Sequence, residues 1–410
     1  ADTLQFIHDH LHDDIVQLAL RQKQYPNVDI AFALQQIEGR RIAETKIPSI
    51  AHKQWLYPAH LSMEQCSSET TARYKAMVIS QRLSERQTMI DLTGGLGIDT
   101  YFLSRLFAHT HYVEQQTELF QLAKHNFELE HSNIQCHNTT AERFMQTLNT
   151  MADLIYIDPA RRAPSGKKVF MLSDCQPDLT KLLPQVMRHC RLLFVKLSPM
   201  LDIAHAIREL HARQIHIVAT DNEVKELLSI TDTPTALTLD TADNTHSLAQ
   251  DDDNDTVSIH AVNIQTKASD DNHELRYSDF TFSTREEQTA HCTFATEIGQ
   301  YLYEPNAALM KAGAFRTISQ RYGLHQLSAN SHLFTSEHLH DDFPGRVFTV
   351  DSIADRHSVK GIAASVISRN HPLSAQQIRQ QYRLRESDHT FLIATRLANK
   401  PILILTKRRG

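Results

Sequence analysis

Between residues 88 and 220, short apolar runs alternate with longer stretches at helical spacing, and this rhythm restricts the fold more than any other feature of the chain. "TMIDLTG", "THYVEQ", "NIQCHN", "ADLIYIDPA", "RLLFVKLSP" and "IHIVATD" read as strands. "GIDTYFLSRLF", "QTELFQLAKHNFELE", "AERFMQTL", "DLTKLLPQVMRHC" and "DIAHAIRELHARQ" read as the helices between them. Strands separated by helices lie parallel, so the segment predicts an α/β fold, a doubly wound sheet covered on both faces. Such sheets bind ligands outside the carboxyl ends of their strands, where the strand order reverses.

Three glycines of a chain that has only 11 in 410 residues fall at the end of the first of these strands, in "DLTGGLGIDT". Glycine there lets the backbone bend and a nucleotide come close. The dinucleotide fingerprint G-x-G-x-x-G is matched only as Gly95-x-Gly97-x-x-Thr100, without its third glycine. An S-adenosylmethionine loop needs an acid at the strand end followed by glycines, and Asp91 with Gly94, Gly95 and Gly97 fits that better. Glu114 ends the second strand, where a carboxylate accepts from both ribose hydroxyls. "ADLIYIDPARR" then brings Asp158, Pro159, Ala160, Arg161 and Arg162 to the end of the fourth strand.

With these three motifs the chain resembles the class I S-adenosylmethionine-dependent methyltransferases. "DLTGGLGID" corresponds to the first cofactor motif, "VE" to the ribose acid and "IYIDPAR" to the catalytic motif of nucleic-acid methylators. "SMEQCSSETTARYK", "YLYEPNAALMKAG" and "FPGR" resemble, more narrowly, bacterial methyltransferases with a C-terminal THUMP-like domain. The resemblance implies a Rossmann-like sheet and S-adenosylmethionine as cofactor. It also implies cofactor contacts from Asp91, Thr93, Gly94, Gly95, Gly97, Glu114 and Asp158, with Asn138 or Glu142 at the adenine. Thr93 stands where many relatives have glycine, and Asn138 where many have Asp. Asp158, Pro159 and Arg161 are the expected catalytic residues, with Asp158 orienting the acceptor or taking its proton. Ala160 and Arg161 replace the Pro and stacking aromatic of amino methylators, which argues against an exocyclic amine as acceptor. Arg162, Lys196 and Ser198 are expected at the substrate. A uridine C5 mechanism needs a cysteine nucleophile after the fifth strand, and "VKLSPM" has none.

The flanks differ in character. Residues 1–85 read as a helical domain, with one amphipathic helix through "IHDHLHDDIVQLALRQKQ", a second capped by Asn27 and a third capped by Ser68. The methyltransferase domain is expected over 86–265. Beyond it an α+β C-terminal region divides into a small ferredoxin-like domain over 266–315 and a THUMP-like RNA-binding domain over 316–410. Asn306 should cap "AALMKAG" and Gly313 should end it.

The net charge of −6 conceals a split: 17 acidic against 4 basic residues over 221–300, then 15 basic against 8 acidic over 301–410. A locally basic surface suits a polyanion. Arg383 and Arg385, among basic residues from Arg369 to Arg409 and beside Tyr382 and Phe391, are the expected RNA contacts. Five scattered cysteines without a C-x-x-C pair predict reduced thiols in the cytoplasm, and the histidines lack metal-ligand spacing. No apolar run approaches membrane-spanning length. The expectation is a cytoplasmic methyltransferase acting on a base of structured RNA, tRNA or rRNA. A methyltransferase of proteins or small molecules, and a cofactor- and RNA-binding module without catalysis, remain alternatives.

Overall fold

The computed structural model describes residues 2–51, 54–130, 132–161, 172–233, 256–266, 275–355 and 357–409. The chain divides into two compact units: Ala1–Arg213 with Leu227–Ser247, and Gln214–Glu226 with Leu248–Gly410.

The first unit opens with helices α1 (Asp2–Asp9), α2 (Ile15–Leu20), α3 (Ile30–Lys46), α4 (Pro48–Ala51), α5 (His60–Gln65) and α6 (Glu69–Arg82). The single helix expected through residues 7–24 is broken at Asp14. Its carboxylate accepts from the N–H groups of Val16 and Gln17 and starts α2. A side chain that satisfies the free donors of a first turn decides where a helix begins, even across a continuous apolar period. Asp29, rather than Asn27, caps α3 in the same way, accepting from Phe32 N at 3.1 Å. Ser68 caps α6 as expected, accepting from Thr71 N at 3.2 Å.

The alternating segment follows: β1 (Thr88–Asp91), α7 (Ile98–Ser104), β2 (His109–Val113), α8 (Thr117–Leu129), β3 (Ile134–His137), α9 (Ala141–Thr147) and β4 (Ala152–Ile157). After the two-residue strands β5 (Ala160–Arg161) and β6 (Cys175–Gln176) come α10 (Leu179–Met187), β7 (Cys190–Leu197), α11 (Ile203–Leu210), β8 (Gln214–Thr220) and β9 (Glu223–Asp232). Within the first unit the strand order is β9-β7-β4-β1-β2-β3. The chain steps outward from β1 to β2 and β3, then lays β4 on the other side of β1, so the switch point lies between β1 and β4.

One strand lies outside the alternating pattern and runs the other way. Leu227–Asp232 of β9 pairs antiparallel with β7. Only Asp221 and Asn222 separate β8 from β9, both at positive φ (48° and 67°). A two-residue turn of that kind reverses the chain and leaves no room for a crossover helix.

The N-terminal helices do not stand apart from this sheet. Ala43, Ile47, Trp55, Tyr57 and Met63 share one core with Tyr101 and Phe102 of α7 and with Ala123 and Phe127 of α8. Arg73 of α6 lies over the Phe102 ring at 5.2 Å. Phe6, Ile7, Leu18, Ala33 and Ile37 form a separate, outer cluster.

In the second unit β10 (Ser258–Gln265) lies parallel to β8, and β11 (Arg276–Ser283) antiparallel to β10. There follow α12 (Thr284–Thr289), β12 (Thr293–Phe294), β13 (Tyr301–Pro305), α13 (Ala307–Ala312), α14 (Phe315–Tyr322), β14 (His325–Gln326), β15 (Phe334–Ser336), β16 (Gly345–Ala354), β17 (Ser365–Ser368), α15 (Ala375–Tyr382), β18 (Thr390–Leu397) and β19 (Lys400–Arg408). A further sheet runs β12-β14-β15-β13-β16-β19-β18-β17. Asn306 caps α13, accepting from Leu309 N at 3.0 Å, and Gly313 ends it at φ 73°. "TALTLDT" and the acidic stretch "DDDND" lie outside the described residues.

Gly97 is the residue on which the β1–α7 turn is most exacting. Its φ is +84°, and an added Cβ would lie 2.4 Å from the buried Phe127 ring. Gly97→Ala should therefore lower unfolding free energy by about 2–4 kcal/mol, combining left-handed strain with overpacking. Urea denaturation of the two proteins measures it; a loss under half a kilocalorie would mean that the turn relaxes freely.

Candidate functional site

Four strand ends meet at the switch point. Asp91 closes β1, Glu114 follows β2, Asp158 follows β4, and Lys196 lies one residue before the end of β7. The loops after β1 and β4 are tied together: Thr93 Oγ1 accepts from Asp158 N at 2.6 Å, and Leu92 N donates to Tyr156 O at 3.0 Å. Thr93, the departure from glycine in the first motif, thus holds the two loops in register.

The three glycines serve different ends. A Cβ on Gly94 would strike the Tyr112 ring at 2.0 Å, as one on Gly97 would strike Phe127. These two are glycine because aromatic rings pack beneath the turn. Gly95 has φ +55° and nothing nearer to its Cβ position than Thr93 O at 4.0 Å, so it alone leaves space above the loop. Its N–H donates to Glu114 Oε2 at 2.8 Å, while Gln116 N donates to Oε1 at 2.7 Å. Both oxygens of Glu114, a residue only 6 % exposed, are thereby oriented from below.

Asp91 is buried under the turn. It accepts from Thr93 N at 3.0 Å and from Thr100 Oγ1 at 2.6 Å. Thr100, standing in place of a third glycine, therefore anchors the strand-end acid. Burial pushes the Asp91 carboxyl up to about 7, against the pull of the Thr100 and Thr93 bonds and with the Asp99 and Asp158 charges adding to the rise. Asn138 is exposed. It donates to Glu114 O at 2.8 Å and accepts from Thr117 Oγ1 at 3.1 Å, so its side-chain oxygen is engaged by α8. Glu142 is exposed in the first turn of α9.

Beside Asp158 lies a group of charges that sequence reading did not assemble. Lys196 Nζ is 2.5 Å from Asp158 Oδ2, 3.8 Å from Asp99 Oδ2 and 3.1 Å from Ser67 Oγ. Lys75, wholly buried in α6, is 3.1 Å from Asp99 Oδ1 and 3.2 Å from Ser67 Oγ. Ser67 and Tyr156 each donate to Asp99 Oδ2 at 2.7 Å. Burial alone would raise the Asp99 carboxyl; the Lys75 and Lys196 ammonium groups and the two hydroxyls outweigh it and hold the acid below the usual carboxylate range. Two cations thus face two carboxylates. Lys75 is the nearer cation to Asp99, and Lys196 is shared between Asp99 and Asp158. The available signal was Asp99 itself: a charged residue in α7, a seven-residue helix buried throughout, must find a cation.

Ser198 Oγ accepts from Met200 N at 3.2 Å, in the turn after β7. Pro159 is half-buried between Asp158 and β5; Arg161 belongs to β5, and Arg162 lies outside the described residues.

In the second unit Arg383 and Arg385 are exposed. The stacking rings expected beside them are engaged by the hydrophobic core. Tyr382 is 8 % exposed within a hydrophobic cluster, and Phe391 packs edge-on against Phe348 at 5.5 Å. Both continue the apolar face of their element, which is the commoner use of an aromatic at such spacing. Arg369 pairs with the buried Glu304 at 2.9 Å, as does Arg346. No helix among the described residues is long and apolar enough to cross a membrane, and none of their His, Cys, Asp and Glu side chains cluster as a metal site.

Comparison with known proteins agrees with this architecture. A solved structure from Porphyromonas gingivalis W83, described as a "putative methyltransferase", is 30 % identical, spans 99 % of this chain and 97 % of its own, and superposes with a TM-score of 0.80. A Listeria monocytogenes structure described as a "putative class i s-adenosylmethionine-dependent methyltransferase" is 10 % identical over 60 % of this chain and 91 % of its own, at a TM-score of 0.37. Residues 301–344 match a ferredoxin-like domain family and residues 345–408 a THUMP domain-like family. No curated protein matches the chain.

The folded protein keeps a proton on Asp91 up to about pH 7, whereas the unfolded chain releases it near pH 4, so this carboxyl subtracts stability as pH rises through that window. Asp91→Asn should gain on the wild type between about pH 4 and 7 and hold a constant difference above. Urea denaturation at spaced pH values reads this; a difference independent of pH would show that Asp91 titrates as in the unfolded chain.

Proposed function

The chain belongs to the methyltransferase family of the Porphyromonas gingivalis protein, and from that premise we propose that it transfers the methyl group of S-adenosylmethionine to RNA. The observation that supports the reading is the Thr93–Asp158 hydrogen bond, which ties the glycine turn after β1 to the carboxylate after β4, with Glu114 joined to the same turn through Gly95 N. The residues present fit an adenosyl ligand. Gly95 leaves open space above the turn, and Glu114 is pre-oriented by two backbone donors while keeping lone pairs for ribose hydroxyls.

When bound, the cofactor supplies an electrophilic methyl on a cationic sulfur. The protein's part is to position the acceptor in line with it and to receive the acceptor's proton. We assign both to Asp158, whose side chain is a third exposed and whose N–H is held by Thr93. Gly94, Gly95 and Gly97 shape the turn, with Asp91 and Thr93 bracing it from beneath. Asn138 and Glu142 border the adenine end, and Ser198 borders the acceptor end.

The RNA part of the reading is supported by the THUMP-like match over 345–408 and by the basic balance of residues 301–410. Exposed Arg383 and Arg385 are the residues we assign to phosphate contact.

Glu114→Gln keeps an acceptor for Gly95 N but has one carbonyl oxygen in place of two carboxylate oxygens. It should weaken S-adenosylmethionine binding about tenfold or more, the worth of one hydrogen bond to a charged group. Calorimetry measures the change, and equal affinity would remove Glu114 from the cofactor site. Mass analysis of tRNA and rRNA nucleosides from a deletion strain should lack one methylated species; an unchanged profile would count against an RNA substrate.

A further inference from the structure

The reading above uses Asp158 but leaves unexplained why an ammonium group lies 2.5 Å from it. The Lys196 side chain is 11 % exposed, so its charge is held largely out of water, where it acts strongly on whatever shares the site. Its place is built, not incidental. Ser67 Oγ lies 3.1 Å from Lys196 Nζ, and that serine is itself fixed by its bond to Asp99 and by Lys75. Lys75 and Lys196 both answer the Asp99 charge, and Lys196 lies closer still to Asp158.

This arrangement discriminates between acceptors. An amine that attacks a methyl group becomes cationic before it loses a proton, and an ammonium beside Asp158 opposes that charge. A hydroxyl is a weak nucleophile that must shed its proton as it attacks, and the same ammonium stabilises the negative charge that develops on oxygen. The chain also lacks an aromatic after Asp158-Pro159 on which an extruded base could stack, having Ala160 and Arg161 there.

We propose that Lys196 and Asp158 together activate a hydroxyl acceptor, and that in RNA this is a ribose 2′-hydroxyl. The inference rests on the RNA methyltransferase reading and narrows it to an atom. Lys196 donates to the hydroxyl oxygen, and Asp158 accepts the hydroxyl proton. The oxygen forms its bond to the methyl carbon as the carbon–sulfur bond breaks. The bonding pair leaves with sulfur as the thioether, the proton passes to the Asp158 carboxylate and then to solvent, and Lys196 stays protonated throughout. Ser67, Asp99 and Lys75 are positioning residues that keep the ammonium on Asp158.

The test incubates the full-length protein with methyl-tritiated S-adenosylmethionine and total RNA from a strain lacking the gene, followed by alkaline hydrolysis. A 2′-O-methyl group blocks cleavage at its own phosphate, so the label is expected in alkali-stable dinucleotides. Label in mononucleotides would place the methyl on a base and overturn this inference while sparing the RNA reading. No label in RNA, with cofactor binding intact by calorimetry, would overturn both. In the same assay Lys196→Met should lower turnover about 100-fold, the scale seen when one donor to a developing oxyanion is removed. The melting temperature should fall, because a buried cation is lost, but S-adenosylhomocysteine affinity at the assay temperature should be unchanged and shows the variant folded there, and Lys196→Arg should recover part of the turnover loss. Turnover by Lys196→Met equal to the wild type would remove Lys196 from the acceptor.

Discussion

A carboxylate buried in a short apolar helix governs the first unit. Moving an unpaired charge out of water costs far more than a domain's net stability, so Asp99 must be met by opposite charge or not be charged at all. The chain meets it from four directions: Lys75 from the helix before the sheet, Ser67 from the segment leading into that helix, Tyr156 from the strand beside β1, and Lys196 from β7. The helices before residue 85 are consequently bound to the sheet through electrostatics as well as through the aromatic core of Trp55, Tyr101 and Phe102. An ion pair of this kind adds little stability over an apolar substitute, but it fixes one arrangement against its alternatives. Here what it fixes is the position of a lysine at the edge of the sheet.

The sequence carried the strand–helix rhythm of this unit because its strands are buried on both faces and read as continuous apolar runs; β4 is buried along its whole length. It did not carry the direction of β9, which turns on two residues with left-handed backbone, Asp221 and Asn222, neither of them glycine. It placed α6 correctly because Ser68 is a strong local cap. It misplaced the starts of α2 and α3, where Asp14 and Asp29 competed with an apolar period that ran straight through them.

The site was legible in part. Glycines, strand-end acids and the Asp158-Pro159 pair are short-range patterns and stood out. What the glycines do was less visible: two make room for rings beneath the turn, and the need for them resides in Tyr112 and Phe127, far along the chain. The Ser67–Asp99–Lys75–Lys196 group could not be read as a motif, because its members are brought together only by packing α6 on α7 and laying β7 near β1 through β4. The basic end of the chain misled in the opposite sense, since Tyr382 and Phe391 look like partners for the arginines, but Tyr382 is a core residue and Phe391 a half-buried one packed against the core.

The pairing of those C-terminal cations has its own consequence. Arg321, Arg346, Arg369, Arg379 and Lys407 each have a carboxylate partner within the second unit, and Glu304 alone engages two of them. A cation already neutralised by the protein has no counterion to gain from a phosphate, and a polyanion that binds it frees none. Were a nucleic acid to dock on this surface, as proposed, the paired cations among the described residues would contribute less to the yield than the formal charge suggests. Binding of that kind would fade only gently as ionic strength rises, and shape would do more of the recognition than charge.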